Sequence, residues 1–589
     1  MNPISNYATD HSANPPAHIT PILIVGGGPV GMTLALTLAR LGVPSMLVER
    51  NATTTRHPKM DITNARSMEL FARLGIAGAL RKVAVAESSN FDVSWITRLN
   101  GHELHRFRYP SVTEWRQRMH ERNDGSMPSE APMRVSQVEI EPVLQRAIQN
   151  EPLVDARWGL AFEEYRDNGS GRNGAVDDDT VAGPLTVTLR RQSDNSVEQV
   201  ACRYLVGCDG GGSAVRQQVG AVLEGQAKVM YRFMTHFRSN AVHLLQRWGI
   251  AWHYQSPRGT LIAQNDRDVW TLHTRWPEGV RQESVDPRAL LRDFAGCDFE
   301  HEILVSNAWT PHLLVADRYG DGGRVFLAGD AAHQYIPTGG YGMNTGIGDA
   351  CDLGWKLAAV VKGIGGAALL ASYEAERRPV GVRNRQGSER HNLMRRTIAG
   401  LYDDQLEDPS AAGDAHRTDI GRRIGECGNA ENESFGIELG YVYRDSPVVR
   451  ADERTRAASD DPLHYTPVAA PGARLPSVVM ADGRSSYALL GPWFTLLRVG
   501  GERGGDAFAQ AAARLGVPLT VADQDTAAWS TLYGKGLLLI RPDQHIAWRG
   551  AGDDAGDTQA AAAILAHALG AAEVTAATEA TAATAGQHA

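Results

Sequence analysis

The chain has 589 residues, of which 43% are hydrophobic and 22% are charged. This composition is that of a globular protein and excludes a disordered or fibrous one, and the length predicts about two to four domains. The formal net charge of -9 offers no basic field to a phosphate backbone, so we expect a small organic partner and no nucleic acid.

The five cysteines are odd in number and form no CxxC pair, so we expect neither a disulfide framework nor a metal site. No run of about 18 apolar residues occurs, and the polar N-terminal segment lacks the cationic and apolar parts of a signal peptide. We therefore expect no membrane span and a cytoplasmic location.

The first elements form a strand, a glycine turn, a helix and a second strand. Residues 1–19 predict a flexible lead, and 22–25 form a short apolar strand. Residues 29–41 indicate a helix, with proline at its start and Gly42 just past its end, and 44–49 form the next strand. This order is typical of the βαβ unit of a parallel sheet.

The glycine turn has the spacing Gly26-x-Gly28-x-x-Gly31, and Glu49 ends the following strand about 20 residues later. Glycine permits a tight turn at Gly26, lets the backbone approach a pyrophosphate at Gly28 and allows close helix packing at Gly31. The Glu49 carboxylate would accept hydrogen bonds from a ribose. The spacing predicts a dinucleotide site without separating FAD from NAD. Its expected contacts are Gly26, Gly28, Pro29, Gly31, Glu49 and Arg50.

Beyond about residue 221, short runs at 250–255, 260–264 and 269–276 are rich in aromatic, histidine and β-branched residues. These runs predict an antiparallel sheet in a second domain. The domain is expected to be inserted into the first one, because glycine-rich motifs resume at Gly329. Four residues of this sheet either line an aromatic pocket or belong to a core: Trp252, Tyr254, Trp270 and His273.

Two further glycine-rich motifs carry a family resemblance. One is Gly329-Asp330-Ala-Ala-His333 with Pro337-x-Gly339-Gly340-x-Gly342-Met343-Asn344, and the other is Asp209-Gly-Gly-Gly-Ser213-Ala-Val-Arg216. Together with the first glycine turn, they resemble the group A flavoprotein monooxygenases, the aromatic hydroxylase family of p-hydroxybenzoate and phenol hydroxylases. The resemblance covers nearly the whole chain.

The resemblance implies FAD as the cofactor. In that family the counterpart of Asp330 binds the ribityl chain, and the loop 337–344 borders the isoalloxazine at the start of a helix, whose N–H groups stabilise a negative reduced flavin. His333 is expected to have a structural or flavin-flanking role. The contacts implied in these motifs are Asp209, Arg216, Gly329, Asp330, Pro337, Gly342, Met343 and Asn344.

Three more positions match the family between these motifs. Lys59 and Arg66 fall where the family places arginines, and Gln137 of Arg134-x-x-Gln137 matches a residue that contacts the flavin diphosphate or ribityl chain. Lys59 keeps the charge of an arginine but loses its bidentate fork. The alternative for Lys59, Arg66 and Arg134 is a solvated positive face.

Asp61 is the main catalytic candidate, together with the loop at Pro337. It lies five residues before Arg66, a position that in phenol hydroxylase-like members carries an Asp or His facing the substrate hydroxyl. A base there would convert a phenol into the more nucleophilic phenolate, and partial burial could raise the pKa of Asp61 towards the working range. The alternative is a surface Asp or one that caps the next helix.

The C-terminal region resembles the thioredoxin-like domain of phenol hydroxylase-type members, in Pro471-Gly-Ala-Arg474-Leu-Pro476 and later stretches. It contains no cysteine, so thiol redox chemistry is excluded there, and its expected role is packing or subunit contact.

The implied fold class is α/β, with a Rossmann-like FAD-binding domain, an inserted antiparallel-sheet substrate domain and a C-terminal thioredoxin-like domain. The predicted boundaries are 20–225 for the first part of the FAD-binding domain, with a substrate-side insertion near 100–133, 226–320 for the substrate domain, 321–400 for the second FAD-binding part, 401–461 for a helical linker, 462–570 for the thioredoxin-like domain and 571–589 for a flexible tail.

The resemblance implies hydroxylation of a phenolic or related aromatic substrate, with NAD(P)H as electron donor and O2 as oxidant, through an FAD C4a-hydroperoxide. Two alternatives stay open at this point. One is a Baeyer–Villiger or epoxidising oxygenase of a polycyclic natural product, and the other is a catalytically silent flavin-binding protein. The expected partner is a small aromatic substrate, and a homodimer is a candidate assembly.

Overall fold

The computed structural model describes residues 19–57, 60–169, 183–276, 279–501, 505–552 and 557–571. Lys59 lies outside these residues, as do 1–18 of the predicted lead and 572–589 of the predicted tail. The strands are β1 (Ile19–Val25), β2 (Ser45–Glu49), β3 (Ile62–Thr63), β4 (Val93–Ile96), β5 (Glu103–Phe107), β6 (Met133–Arg134), β7 (Val154–Trp158), β8 (Leu160–Asp167), β9 (Leu185–Arg191), β10 (Val197–Gly207), β11 (Leu223–Gln226), β12 (Arg232–Arg238), β13 (His253–Ser256), β14 (Gly259–Ala263), β15 (Val269–Arg275), β16 (Glu302–Trp309), β17 (Leu313–Ala316), β18 (Val325–Leu327), β19 (His333–Gln334), β20 (Phe494–Val499), β21 (Leu519–Gln524), β22 (Gly536–Ile540) and β23 (Ile546–Gly550).

The helices are α1 (Pro29–Arg40), α2 (Ala65–Arg73), α3 (Ala77–Arg81), α4 (Val112–Glu121), α5 (Gln137–Gln149), α6 (Ala214–Val219), α7 (Val242–Leu245), α8 (Pro287–Ala295), α9 (Tyr341–Val361), α10 (Ala367–Ala399), α11 (Ala411–Cys427), α12 (Phe435–Leu439), α13 (Glu453–Ala457), α14 (Gly505–Leu515), α15 (Ala527–Tyr533) and α16 (Thr558–Ala568). Within the described ranges, none of them is both long and apolar enough to cross a membrane.

A first sheet lies at the centre of the N-terminal part. Its order is β7-β2-β1-β10-β9-β8, with β18 on β10, and β1 pairs in parallel with both β2 and β10. Residues 22–25 are at most 5% exposed, as expected of a strand covered on both faces. The predicted βαβ unit is confirmed, because α1 connects β1 to β2 with Pro29 at its first position. Ile19, assigned to the lead, already belongs to β1.

The second sheet has the order β16-β12-β15-β14-β13-β4-β5, and its neighbours are antiparallel except for β13 and β4. The predicted antiparallel sheet is therefore confirmed. Strands β4 and β5 precede residue 226, so the sheet uses chain from both sides of the predicted start of the substrate domain. The exact domain boundaries remain predictions.

Helix α9 packs closely against α1. A Cβ added at Gly346 would lie 2.6 Å from Val30 Cγ2, and one added at Gly354 would lie 2.7 Å from Thr37 Cγ2. Only glycine permits this approach, and it brings the start of α9 next to the first glycine turn.

The C-terminal region forms a four-stranded sheet, β21-β20-β22-β23, together with α14, α15 and α16. Buried charges join it to α9 and α10, since Arg541 donates to Glu376 at 2.6 and 2.8 Å and to Asp352 at 2.9 Å. Trp355 packs edge-on against Phe494, with 5.8 Å between ring centres. The C-terminal domain is therefore fixed to the two helices that follow the second FAD motif.

Candidate functional site

The first glycine turn separates two kinds of glycine. Gly26 has a φ of +113°, and an added Cβ would lie 2.3 Å from the Cys208 carbonyl oxygen. At Gly31 an added Cβ would lie 2.0 Å from the carbonyl oxygen of Gly26. A Cβ at Gly28 would meet nothing within 4 Å, and Gly28 precedes α1 without a side-chain cap. The turn is therefore tightly packed on one side and opens at the N–H groups of the helix, a geometry that suits an anion.

Glu49 closes the other side of this turn. Its Oε2 accepts a hydrogen bond from Gly27 N at 2.8 Å, and its Oε1 accepts from the backbone and side-chain nitrogens of Asn51 at 2.8 and 2.6 Å. The carboxylate is half-buried, and Oε2, which accepts one hydrogen bond, has a further lone pair for a ribose hydroxyl. Arg50 is exposed beside it.

The 209–216 motif forms a capped turn. Asp209 Oδ2 accepts from Ala214 N at 2.8 Å, while Asp209 Oδ1 is buried with no hydrogen-bond partner among the described residues. Arg216 donates to the carbonyl oxygens of Ala331 at 3.0 Å and Gly211 at 2.8 Å. The Arg216 side chain thus joins this motif to the 329–333 motif. This structural role stands beside the cofactor contact that the sequence analysis predicts for Arg216, which stays a prediction.

The second FAD motif lies against the first. An added Cβ at Gly329 would lie 2.9 Å from Val30 Cγ2, and one at Gly342 would lie 4.0 Å from Asp330 Oδ1. Asp330 is exposed, as is Pro337, whose carbonyl oxygen accepts from Gly340 N at 2.9 Å. Helix α9 then starts without a side-chain cap, so its first N–H groups point into the same region. Its second and third residues are Gly342 and Met343, both half-buried.

Asn344 connects this loop to the segment after Asp61. Its Oδ1 accepts from Asn64 N at 3.1 Å, and its Nδ2 donates to Ile62 O at 3.1 Å and to Gly340 O at 2.6 Å. The side-chain amide is therefore engaged in hydrogen bonds within the protein. The consequence is that Asp61 lies close to the N-terminus of α9.

His333 has the packed role that the sequence favoured. It is fully buried, its Nε2 lies 2.8 Å from Asp349 Oδ2, and its ring stacks on Tyr335 at 4.9 Å. Burial would raise the pKa of Asp349, but the charges of Arg377 and His333 lower it below its usual value. His333 and Asp349 thus form a buried structural contact beneath the second motif.

Asp61 lies where the FAD motifs meet the substrate sheet. Its Oδ2 accepts from Trp252 Nε1, from Arg134 at 3.2 Å and from His253 Nε2 at 3.1 Å. Burial would raise the pKa of Asp61, but the hydrogen bond from His253, the charge of Arg134 and the hydrogen bond from Trp252 lower it below its usual range. The expectation of a raised pKa is wrong. The capping alternative is also wrong, because Asn64 caps α2.

His253 was missed by the sequence reasoning, although its neighbours Trp252 and Tyr254 were singled out. The signal was present in the alternation of the strand, which places His253 and Gln255 on the face opposite to Tyr254. Burial lowers the pKa of His253 despite the opposing effect of Asp61, so the ring is neutral near pH 7. Its Nδ1 is buried and has no partner within the described chain.

The aromatic candidates divide between the two faces of the sheet. Tyr254 and Trp270 are 1% and 2% exposed and belong to a hydrophobic core with Phe294 of α8, so the core alternative is correct for both. Trp252 joins that core and also donates to Asp61. His273 lies on the opposite face, edge-on to Trp309 at 5.5 Å.

One transverse row defines that opposite face. Strand pairing aligns Gln255 with Thr260, Thr260 with His273, His273 with Met234 and Met234 with Asn307. Paired residues lie on the same face of a sheet, and His253 on this face contacts Asp61. Three atoms of the row are buried without a hydrogen-bond partner in the described residues: Gln255 Nε2, His273 Nδ1 and Asn307 Oδ1.

A second connection joins this face to the FAD loop. Glu431 Oε1 accepts from Gly339 N at 3.3 Å, and Glu431 pairs with Arg395 at 2.6 and 2.7 Å. Arg395 also donates to Thr260 Oγ1 at 3.4 Å. The candidate site therefore lies between the polar sheet face, Asp61 and the start of α9.

Arg66 and Gln137 have protein partners. Arg66 is 5% exposed and donates to Glu69 at 3.0 Å, to Gln544 Oε1 at 2.5 Å and to the Asp543 carbonyl oxygen at 2.7 Å. The structure thus places Arg66 against the C-terminal domain instead of the FAD motifs. Gln137 donates to Glu141 at 2.7 Å, next to the backbone of Met60.

Comparison with known proteins gives consistent matches. Residues 19–388 match a family model described as an FAD binding domain, and 468–572 match one described as the C-terminal region of aromatic-ring hydroxylases. The FAD-dependent monooxygenase apdD of Emericella nidulans is 36% identical, over 96% of this chain and 93% of its own. The 4-methyl-5-nitrocatechol 5-monooxygenase of a Burkholderia species is 31% identical, over 91% and 95%. A solved ternary complex of aklavinone-11 hydroxylase with FAD and aklavinone is 27% identical, with a TM-score of 0.77 over 96% of this chain and 100% of that one.

Proposed function

The chain belongs to the FAD-dependent aromatic-ring hydroxylase family of monooxygenases, and from that premise we propose that it hydroxylates a phenolic or related polycyclic aromatic compound, with NAD(P)H as donor and O2 as oxidant. The observation that carries the proposal is the position of Asp61. Asn344 holds the following segment against the start of α9, and His253 joins Asp61 to the polar sheet face.

The chain's residues fit FAD. The open space at Gly28 and the uncapped start of α1 suit the pyrophosphate, and the Glu49 carboxylate suits the ribose. The exposed Asp330 would bind the ribityl chain. When bound, FAD supplies the transfer of electrons from the donor and the activation of oxygen. The residues proposed to hold it are Gly26, Gly28, Pro29, Gly31, Glu49, Arg50, Gln137, Asp209, Gly329, Asp330, Pro337, Gly342, Met343 and the backbone of Asn344.

Helix α9 has a defined electrostatic role in this proposal. It is 21 residues long, begins after Gly340 in a left-handed conformation and has no side-chain cap. Its first N–H groups and its dipole stabilise negative charge that develops at the loop 337–344. Pro337 and the two glycines after it set the path of that loop, so a ring can approach the backbone.

Asp61 acts on the substrate hydroxyl. All three protein donors bind its Oδ2, which leaves Oδ1 to accept a hydrogen bond from a phenol. Because the pKa of Asp61 is lowered, the carboxylate stays ionised and polarises the O–H bond without holding the proton. The neutral His253 donates its Nε2–H to Asp61, so the ring nitrogen that can take up a proton is Nδ1.

Purified protein tests the proposal directly. We expect a flavin absorbance spectrum, consumption of NADH or NADPH that rises on addition of phenols, and a product one oxygen atom heavier. A protein that takes up FAD but gives no donor oxidation with any phenol or polycyclic phenol would contradict the proposed function.

The remaining predictions concern location and assembly. We propose a cytoplasmic location and a homodimer, which cell fractionation and light scattering during size-exclusion chromatography test separately. A monomer at micromolar concentration would contradict the second prediction and leave the enzymatic proposal unchanged.

A further inference from the structure

The row of the sheet next to His273 is cationic. In the strand register, Arg275 of β15 lies opposite Arg232 of β12, and Arg232 lies opposite Trp309 of β16. Each of these residues lies two positions from a member of the Gln255 row, so they share its face. The edge-on contact between His273 and Trp309 agrees with this assignment.

Three arginines meet at this end of the site. Burial, followed by the charges of Arg395 and Arg275, lowers the pKa of Arg232 to about 10. Arg395 reaches the same face through Thr260. Arg232 is half-buried, and the only hydrogen-bond acceptor of its Nε among the described residues is the Met230 sulfur, at 3.1 Å.

The carboxylates of this region are used elsewhere. Asp61 pairs with Arg134 at 3.2 Å, and Glu431 pairs with Arg395 at 2.6 Å. Within the described residues, which omit 277 and 278, no carboxylate forms an ion pair with Arg232 or Arg275. A half-buried guanidinium without a counter-ion is stabilised by an anion that reaches it.

The neighbouring row accepts a polar ligand. Burial, followed by the charge of Arg232, lowers the pKa of His273 to about 3, so its ring is neutral at pH 7. The charge of Asp61 acts on the pKa of the same ring in the opposite direction, so His273 lies between Arg232 and Asp61. Gln255 Nε2 can then donate to an oxygen atom of a ligand, and Asn307 Oδ1 can accept from a ligand hydroxyl.

We propose that the substrate is an acid, an aromatic compound whose carboxylate binds Arg232 while the hydroxyl of the ring to be oxidised lies at Asp61. Arg232 provides a planar fork that matches a carboxylate, and Arg395 and Arg275 add to the positive potential. The two ends of the substrate are thus distinguished, because the anionic Asp61 repels the carboxylate and Arg232 attracts it. This inference rests on the proposed function, and it adds the chemical class of the substrate.

The test compares two probes on the FAD-loaded protein. The acid is 6-hydroxy-2-naphthoate, and the neutral probe is 2-naphthol, which lacks only the carboxylate. Titration followed by flavin absorbance should show that the acid binds about 10- to 100-fold more tightly, the usual effect of one charge-assisted hydrogen-bonded pair. Raising the NaCl concentration should weaken binding of the acid and leave 2-naphthol unaffected.

Variants locate the effect. Arg232→Met should remove the preference for the acid and leave the affinity for 2-naphthol unchanged. Arg232→Lys should retain part of it, since it keeps the charge and loses the fork. Arg238→Gln is the matched control, because Arg238 lies on the same strand but is exposed and pairs with Glu302 at 2.9 Å. It should behave as the parent protein.

Each result is decisive. Equal affinities for the two probes, or failure of the acid to bind at all, would overturn the proposal that the substrate is an acid. A preference that survives in both Arg232 variants, each with normal FAD content, would overturn the role of Arg232. If the acid binds preferentially but neither it nor any other phenol is hydroxylated, the acid site stands and the proposed function fails.

Discussion

The two faces of the substrate sheet differ in how many of their buried polar atoms have hydrogen-bond partners within the described residues. On the face towards α8, the Tyr254 hydroxyl donates to the Gly249 carbonyl oxygen at 2.8 Å, and Trp270 Nε1 donates to the Ser239 carbonyl oxygen at 3.3 Å. On the opposite face, His273 Nδ1 and Gln255 Nε2 are buried without partners in the described residues. A buried polar group left unpaired costs about 1–3 kcal/mol, so a ligand that pairs with these atoms would be stabilised on this face.

This difference distinguishes residues that stabilise the domain from residues that bind a ligand. Both faces contain large and aromatic side chains, and composition alone does not distinguish them. The satisfied face should determine the free energy of unfolding, whereas the unsatisfied face should determine affinity and rate.

The largest expected effect is on the packed face. Trp270→Ala should lower the free energy of unfolding by about 3–5 kcal/mol, because it leaves a cavity in the core. His273→Ala should change that free energy by less than about 1 kcal/mol, because it also removes an unpaired polar group. Urea unfolding of the two variants measures both. Equal destabilisation by the two changes would break the contrast between the faces.

The next effect concerns Asp61. Asp61→Asn should lower kcat by about 100-fold, since the amide no longer polarises the substrate hydroxyl and no longer holds His253 with a charge. Steady-state assays with a phenolic substrate measure it. Asp293→Asn, which alters an exposed carboxylate of the same domain, is the control and should leave kcat unchanged. A normal kcat in Asp61→Asn would remove Asp61 from the chemistry.

A third prediction concerns a residue that binds the cofactor, in the first glycine turn. Gly28→Ala should weaken FAD binding by about tenfold or more, because the added methyl group occupies the space where the pyrophosphate approaches and meets no protein atom. Gly78→Ala also places its Cβ in open space and should retain FAD. Fluorescence titration of the apoprotein with FAD measures both affinities. Full affinity in Gly28→Ala would place the cofactor elsewhere.

The effect that is smallest near neutral pH is a dependence of stability on acid. The pKa of His273 is lowered to about 3, against about 6.5 in the unfolded chain. The unfolded state therefore binds the proton more readily, and the stability due to neutral His273 is complete above about pH 6.5. It falls towards pH 3 by up to about 1.4 kcal/mol per pH unit.

His273→Asn should therefore flatten the decline in unfolding free energy between about pH 6 and about pH 4, as measured by urea titration at each pH. The corresponding change at the exposed His464 serves as the control. An unchanged slope in His273→Asn would show that the imidazole is solvated.

The fold was predictable where the signal is local. The order of strand, glycine turn, helix and strand lies within residues 19–49, and the structure places Gly26 and Gly31 in contacts that admit no Cβ. The antiparallel sheet was also predicted, but the contribution of β4 was not, because β4 joins β13 from about 160 residues away in the chain.

The site was predictable only in part. Asp61 was identified as a candidate, but the direction of its pKa shift depends on Arg134 and His253, which are 73 and 192 residues away. Arg66 was expected at the cofactor, yet its partners Asp543 and Gln544 belong to the C-terminal domain. Alternation along a strand separates Tyr254 from His253 but does not say which face meets the cofactor. Each of these features depends on contacts between residues that are far apart in the chain, which local sequence patterns do not show.

The most direct test of the central claim is to follow the oxygen atom. Under 18O2, with NAD(P)H and a phenolic substrate, we predict one 18O atom in the product for each donor molecule consumed in coupled turnover. Donor oxidation that ends only in hydrogen peroxide, with no labelled product from any phenol or phenolic acid, would contradict the central claim. The region between the polar sheet face, Asp61 and the start of α9 would then not be a hydroxylation site.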